Sequence, residues 1–384
     1  MPIFLNNDEQ ARCITPIEAL DALENGLRQF GLGQAVRRPR FDGILPTSRE
    51  GEWFNFSSMD GGIRSPGYYA IRIKPDIYAF PIVNGAVRTV TYSYKPGFYG
   101  GMVFLYDTEN ADFLALMNDG YIQHLRVASS AALGVKYLSR PDSKVLGIVG
   151  TGGMARFFVP SIAAVRPIER VQVWSPTREN LDAYVAEMRS KVDVEIVPVD
   201  GVQEVARGAD ILCLCSTARA PILKSEWIEP GTHINHVTHM EFGTDVIDRV
   251  DTVGLLVRRT PMQISGYVDD DFALSKAALC YIGGHPEERI QYPHSTPSPD
   301  RYRNKRVVDC VDWRTGEAYR RQDENEITLL ANASYGTLDG EALNSAGTQG
   351  VQFASVGGRI YENARKAGIG LELPREMFLQ DIPT

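Results

Sequence analysis

Cysteine is scarce and scattered: the chain of 384 residues has five, Cys13, Cys213, Cys215, Cys280 and Cys310. No C-x-x-C pair occurs, and an odd, dispersed set does not describe a disulfide framework. Cys213 and Cys215 alternate within "ADILCLCST", so they are expected on one face of a strand as buried thiols. No apolar run approaches the roughly 20 residues that span a bilayer. The opening "MPIFLNNDEQ" lacks the basic start and apolar stretch of a secretion signal. A reducing, cytoplasmic setting without a membrane partner is the expectation. Clustered positive charge is also missing. The formal net charge is -8, with both signs spread along the chain, so nucleic acid is not an expected partner. Apolar residues are plentiful at 43%, enough for the cores of two or three domains.

Three textures follow one another. Up to about residue 140 the chain is mixed. "PIEALDALENGLR" has helical spacing with Thr15 before it as a cap. "YYAIRIKP", "RTVTYSY" and "GGMVFLYDTEN" read as strands, and residues 111–138 turn helical. The aromatics Tyr92, Tyr94, Phe98 and Tyr99 are expected to serve a sheet core. From about 144 to 260 strands and helices alternate, from "KVLGIVG" and "GMARFFVPSIAAV" to "THINHVT" and "TVGLLVR". That alternation predicts a doubly wound parallel sheet. Residues 277–325 are polar and proline-rich, an irregular excursion. The tail "QFASVGGRIYENARKAG" predicts a helix stopped by glycine.

The chemistry starts at "KVLGIVGTGGMARFFVP". Gly150, Gly152 and Ala155 form G-x-G-x-x-A, with a strand before, a helix after and a second strand about 20 residues on. The first glycine permits a tight turn, the second lets backbone approach a pyrophosphate, and the alanine packs the helix against the sheet. Gly150, Thr151, Gly152, Gly153, Met154 and Ala155 are therefore expected to bind a dinucleotide at a helix N-terminus. NAD-selective sites place a carboxylate at the tip of the second strand. Here the tip reads Ser175-Pro176-Thr177-Arg178. Ser175, Thr177 and Arg178 suit a 2′-phosphate, so NADP is expected with NAD as the alternative. Against this, Ser175 and Thr177 could simply cap the next helix. Ser216 and Thr217 fall in the loop after the fourth strand of such a sheet.

With these segments in place, the chain resembles the ornithine cyclodeaminase/μ-crystallin family. "FLALMNDGYIQHLRVASSAA" is similar to its L-A-x-M-D-G-x-x-L-T-x-x-R-T-A-A segment, and "LGIVGTGGMA" to its glycine turn. "GADILCLCSTARAPIL", "WIEPGTHINHV", "NSAGTQG" and "IYENARKAGIG" resemble further blocks. The resemblance implies a Rossmann-type doubly wound parallel sheet inserted into an α+β substrate-binding and dimerisation domain. The expected division is residues 1–140 plus 326–384 for the latter and 141–325 for the former. It also implies a homodimer, a small substrate bearing a carboxylate, and hydride transfer between the substrate Cα and a nicotinamide.

On this resemblance Arg126 holds the substrate carboxylate, a task suited to the guanidinium fork. Asn235, Val237 and Ser345 lie near the nicotinamide, and Arg40 is a further anion contact. Two positions depart from the family. Arg72 stands where the family has an active-site lysine; it can bind a carboxylate but does not titrate. Lys74, two residues on and on the same strand face, offers a titratable amine. Met240 stands where cyclodeaminases have their catalytic aspartate, leaving His239 or Glu241, one position to either side, as replacement acids. His233, His236 and His239 recur every third residue, a spacing that scatters side chains over both strand faces, so no metal site is expected. The expected activity is NAD(P)H-dependent reduction of an imine or keto group beside a carboxylate. A cyclodeaminase with a reassigned acid, or a non-catalytic NADP(H)-binding protein, are the alternatives.

Overall fold

Strand β1 (Ile3–Leu5) opens the chain, and Thr15 then starts helix α1 (Pro16–Gly31). The Thr15 amide donates to Glu18 Oε2 at 2.9 Å, and the Glu18 amide donates back to Thr15 Oγ1 at 3.4 Å. This reciprocal cap, with proline as the first helical residue, fixes where the helix begins. The structure is a computed structural model. It describes residues 1–38, 40–83, 86–87, 89–218, 220–257, 272–275, 278–282, 285–289, 291, 302, 304–331 and 347–382.

Next come β2 (Arg40–Pro46), β3 (Glu52–Ile63), β4 (Tyr68–Ala79), β5 (Met102–Asp107) and β6 (Phe113–Asn118). They form the antiparallel run β2-β3-β4-β5-β6, and β1 pairs parallel to β6. Helix α2 (Asp119–Leu138) follows, buried on every side from Leu125 to Val135. It packs on α1, on helices Gly153–Ala163 and Gln349–Ala367, and on strands His233–His236, Thr252–Leu255 and Thr328–Leu330 of a second sheet.

The second sheet contains β7 (Val145–Val149), β8 (Arg170–Trp174), β9 (Glu195–Pro198), β10 (Ile211–Leu214), β11 (His233–His236), β12 (Thr252–Leu255), β13 (Arg306–Asp309) and β14 (Thr328–Leu330). Its order is β9-β8-β7-β10-β11-β14-β12-β13, parallel throughout. Helices α3 (Gly153–Ala163) and α4 (Arg178–Lys191) follow β7 and β8. The chain runs outward from β7 through β8 to β9, then returns to β10 on the other side of β7. Such a reversal opens a crevice at the carboxyl ends of the strands. The last helix, α5 (Gln349–Ala367), returns to the first sheet. Gly350 sits so close to the Asp60 carbonyl that a side chain there would collide with it.

The expected domain boundaries are redrawn at two places. Thr328–Leu330, assigned to the substrate domain, is an interior strand of the parallel sheet between β11 and β12. Strands Phe272–Ser275 and Ala278–Ile282, assigned to the other domain, extend the first sheet, the latter pairing parallel to β2. Within residues 111–138, Phe113–Asn118 is a strand rather than helix, because its apolar run pairs with β1 and β5 before α2 begins. Among the described residues no helix is long and apolar enough to cross a membrane.

Candidate functional site

Gly150 makes the turn after β7 with φ +102, the left-handed region that glycine tolerates. A Cβ there would lie 2.8 Å from the Cys215 carbonyl, so glycine is required twice over. The Gly150 amide donates to the Trp174 carbonyl at 2.8 Å, tying the turn to the end of β8. Gly152 differs: its Cβ would meet nothing within 4 Å. The turn is therefore open on the side where Gly152 faces. Helix α3 begins at Gly153 without a side-chain cap, so its leading N–H groups are left for a ligand. Arg156 braces the loop from below, donating to the Thr151 carbonyl at 2.5 Å and pairing with Glu187 at 2.7 Å. Ala155 is fully buried, and the Tyr184 hydroxyl donates to its carbonyl at 3.1 Å. An open glycine cradle at an uncapped helix start, beside a strand-order reversal, fits a dinucleotide pyrophosphate.

The other expected cofactor residues surround this turn. Ser175 is half-buried, while Thr177 and Arg178 are exposed at the end of β8. Thr177 is the N-cap residue of α4, yet its side chain makes no capping hydrogen bond. Arg178 pairs with Asp182 at 3.0 Å. Ser216 and Thr217 follow β10, and Asn235 lies at 0% exposure within β11. Val237 is half-buried and donates its amide to the Leu214 carbonyl at 3.2 Å. Met154 is half-buried in the first turn of α3. Ser345 lies outside the described residues.

Glu241 is fully buried. Its carboxylate accepts from the Ser216 amide (2.6 Å) and hydroxyl (2.8 Å), the Thr238 amide (3.1 Å) and the Val237 amide (3.3 Å). It ties together the loops after β10 and β11. Burial raises its pKa, opposed by these donors. Met240, half-buried, shares a single 3-10 turn with it. His239 opens that turn, and its side chain lies outside the described residues. His236 Nε2 faces the Ala331 carbonyl at 2.6 Å, and His233 Nδ1 faces Thr328 Oγ1 at 2.9 Å.

The first sheet carries a polar face. Residues opposite one another in an antiparallel ladder share a face. Pairing of Met59 with Arg72, Ser57 with Lys74 and Asn55 with Asp76, and of Asp42 with Ser57, puts all of them on one side. Three cations on this face are matched with carboxylates. Arg72 donates twice to Asp119 Oδ2 (2.9 and 2.6 Å), Lys74 pairs with Asp76 (2.5 Å) and Arg40 with Asp42 (2.8 Å). Arg40 also donates to Ser57 Oγ at 2.9 Å. The Arg72–Asp119 pair is almost completely buried, with side chains 5% and 7% exposed. Removing either partner of such a pair costs about 3–5 kcal/mol through the charge left behind. Arg126, on α2, donates to Gln352 (2.8 Å) and Gln123 (3.0 Å). Its guanidinium and that of Arg72 lie 5.2 and 6.0 Å from the ring centre of Phe353, so the two arginines converge on one ring of α5.

One residue that sequence reasoning missed joins the two halves. His124, two positions before Arg126, stacks on Phe157 of α3 with ring centres 5.4 Å apart. Its Nδ1 bonds the Gly120 carbonyl at 2.6 Å, and Nε2 lies against Gly153, where a side chain would collide with it. Burial lowers its pKa; Arg126 and Lys74 add to that, while the Gly120 carbonyl and Asp119 oppose it. Asp76 and Asp119 were missed too, because their meaning depends on a pairing partner that sequence order does not display. The glycine turn and the cation face are thus neighbours across a single imidazole.

Comparison with known proteins gives this geometry a context. Residues 7–252 match the family model described as the ornithine cyclodeaminase/mu-crystallin family. The ketimine reductase mu-crystallin of Rattus norvegicus is 29% identical over 212 residues, 52% of this chain and 66% of that protein. The Delta(1)-pyrroline-2-carboxylate reductase of Bacillus cereus is 32% identical over 236 residues, 61% of this chain and 67% of that protein. These matches span about two thirds of each curated relative. The fold is that of Thermococcus litoralis Delta(1)-pyrroline-2-carboxylate reductase, solved with NADH and L-proline. That structure has a TM-score of 0.67 at 20% identity, covering 97% of this chain and 100% of that one.

Proposed function

The chain belongs to the ornithine cyclodeaminase/mu-crystallin family, and from that premise we propose that it is a nicotinamide-dinucleotide-dependent oxidoreductase reducing a C=N or C=O carbon beside a carboxylate. The observation that carries the reading is the junction at His124, which sets an open glycine cradle against a face of guanidinium and ammonium groups. The relatives named as ketimine and pyrroline-carboxylate reductases support the same class.

The residues divide the work as follows. The 150–155 turn holds the pyrophosphate, with Ser216, Thr217, Asn235 and Val237 toward the nicotinamide. Ser175, Thr177 and Arg178 favour a 2′-phosphate, hence NADP over NAD. A bound nicotinamide dinucleotide supplies the hydride. Arg126 takes the substrate carboxylate, aided by Arg40. Arg72, already engaged by Asp119, shapes the pocket and keeps Arg126 and Phe353 in place. Lys74 gives a proton to the nitrogen or oxygen as hydride reaches carbon, so that the product carries both. Glu241, spent on four donors, positions the cofactor loops instead of transferring a proton. Ornithine or lysine cyclodeamination fits less well, since Met240 carries no transferable proton and Arg72 does not titrate.

Loss of nicotinamide absorbance, followed with NADPH and NADH against cyclic imino acids and against keto acids with ammonia or methylamine, tests the reading. Turnover is expected, with a lower KM for NADPH. A protein that binds neither dinucleotide overturns it. Clear NADH preference overturns the role given to Arg178.

We further infer a homodimer. The other face of the first sheet carries Phe41, Leu45 and Phe56, at 37%, 50% and 39% exposure, together with half-buried Phe54, Ile71 and Ile73. An apolar sheet face of this extent calls for a cover.

A further inference from the structure

Strand alternation puts Arg72, Lys74 and Asp76 in one row along β4, with Tyr78 next after the carboxylate. Asp76 lies at the back, its side chain 0% exposed, while Lys74 in front is 22% exposed. They meet at 2.5 Å. Neither Asp76 oxygen has any hydrogen bond beyond that ion pair among the described residues. A buried carboxylate normally collects several donors; this one has a single ammonium. Arg72, the next cation along, is held by Asp119, which leaves Asp76 to Lys74.

We propose that Asp76 is a positioning residue that holds the Lys74 amine in the site as the proton donor. The proposal deepens the oxidoreductase reading and rests on it for the identity of the reaction. Its logic follows from the arginine at position 72. A guanidinium does not act as an acid near neutral pH, so the row needs its titratable group elsewhere, and Lys74 is the amine present.

Among the described residues, charged and titratable groups come toward Lys74 from several elements, Tyr78 of its own strand included. Arg72 and Asp76 share its strand, the Arg40–Asp42 pair lies beyond Ser57 on β2, and Asp119, His124 and Arg126 come from α2. The Tyr99 ring lies on the open side, 6.0 Å from the amine. The cations in that set repel the Lys74 ammonium. Asp76 opposes them at contact distance. Burial raises the Asp76 pKa, with Lys74 and then Arg72 opposing, as expected of a carboxylate whose ionised state depends on its neighbour. During turnover the Nζ–H bond breaks, and the proton joins the substrate nitrogen or oxygen as hydride joins carbon. The neutral amine then recovers a proton from water through its exposed side.

Asp76→Asn and Lys74→Arg in the full chain test the idea. For Asp76→Asn the expectation is a fall in kcat of at least about tenfold, within the range of acid–base contributions. The dinucleotide Kd should be unchanged, and the alkaline limb of the pH–rate profile should move to lower pH; Asp76→Glu should restore part of the rate. Lys74→Arg keeps the ion pair, and with it the fold, but removes the titratable amine, so it should lose kcat with normal dinucleotide binding. Wild-type kcat and pH profile in either Asp76→Asn or Lys74→Arg would overturn the proposal. A second readout needs no turnover: the pH-dependent rate at which acetic anhydride labels Lys74, followed by mass spectrometry. Asp76→Asn should label faster at neutral pH, and equal rates in the two proteins would sink the dyad even if the reductase reading stands. Absence of any turnover by the wild type, with the labelling difference present, would instead remove the reaction and leave the dyad.

Discussion

His233 and His236 both turn into the protein from β11, and neither is exposed. His233 has the more costly environment. Burial, reinforced by Arg321 and Arg166, lowers its pKa to about 3, and Asn235 opposes only in part. An unfolded histidine titrates near 6.5. Above that pH the ring is neutral in both states and folding carries no penalty. Between about 6.5 and 3 the unfolded chain takes a proton that the folded one refuses, so stability falls with pH by about 1.4 kcal/mol per unit for this one group. Urea unfolding of the wild type and His233→Gln at pH 7.5 and pH 5 tests this. The wild type should lose about 2 kcal/mol more than the variant across that interval; parallel losses would show that His233 is not the group responsible. His233 and His236 are thus packing features of β11, each ring facing a different protein acceptor.

At the scale of elements, the strand–turn–helix at β7 and α3 was the most legible part of the chain. Parallel strands buried on both faces read as continuous apolar runs, and a glycine turn between such a run and a helix has few other uses. The two glycines make opposite predictions. Gly150→Ala forces a side chain into the Cys215 carbonyl at a φ that L-residues avoid, a strain of about 1–3 kcal/mol. It should lower the unfolding midpoint and weaken dinucleotide binding together. Gly152→Ala meets no neighbouring atom, so it should keep wild-type stability and lose at least about tenfold in dinucleotide affinity, as the methyl occupies space that the pyrophosphate needs. Thermal unfolding and calorimetric titration of the two variants separate the effects; unchanged NADPH affinity in Gly152→Ala would move the pyrophosphate off this turn. Other elements were harder to read. Phe113–Asn118 is as apolar as the helix after it, and only its pairing with β1 and β5 makes it a strand. Thr328–Leu330 is three residues long, and its place between β11 and β12 arises from a return of the chain over a long separation that no local pattern encodes. That Lys74 shares a strand face with Arg72 was readable from the two-residue offset, whereas the places of Asp76 and His124 needed the ladder and the helix packing.

For the whole molecule, the first sheet presents ion-paired polar groups on one side and an apolar surface on the other. The polar side holds ion pairs such as Arg72–Asp119, kept almost wholly from solvent. The reverse side has Phe56 and Leu45 standing in solvent, and Phe41 with half-buried Ile73 continues the patch on neighbouring strands. A second copy related by a two-fold axis would bring identical patches together and satisfy both at once. Each sheet would then be covered on both faces, with the β4 row stiffened from behind. Sedimentation should therefore give twice the chain mass at micromolar concentration. The double variant Leu45→Lys, Phe56→Lys should sediment as a monomer with unchanged far-ultraviolet dichroism, since both side chains are solvent-facing in the single chain and like charges would oppose each other across the axis. A wild type that stays monomeric, or a double variant that stays dimeric, would require another cover for this face.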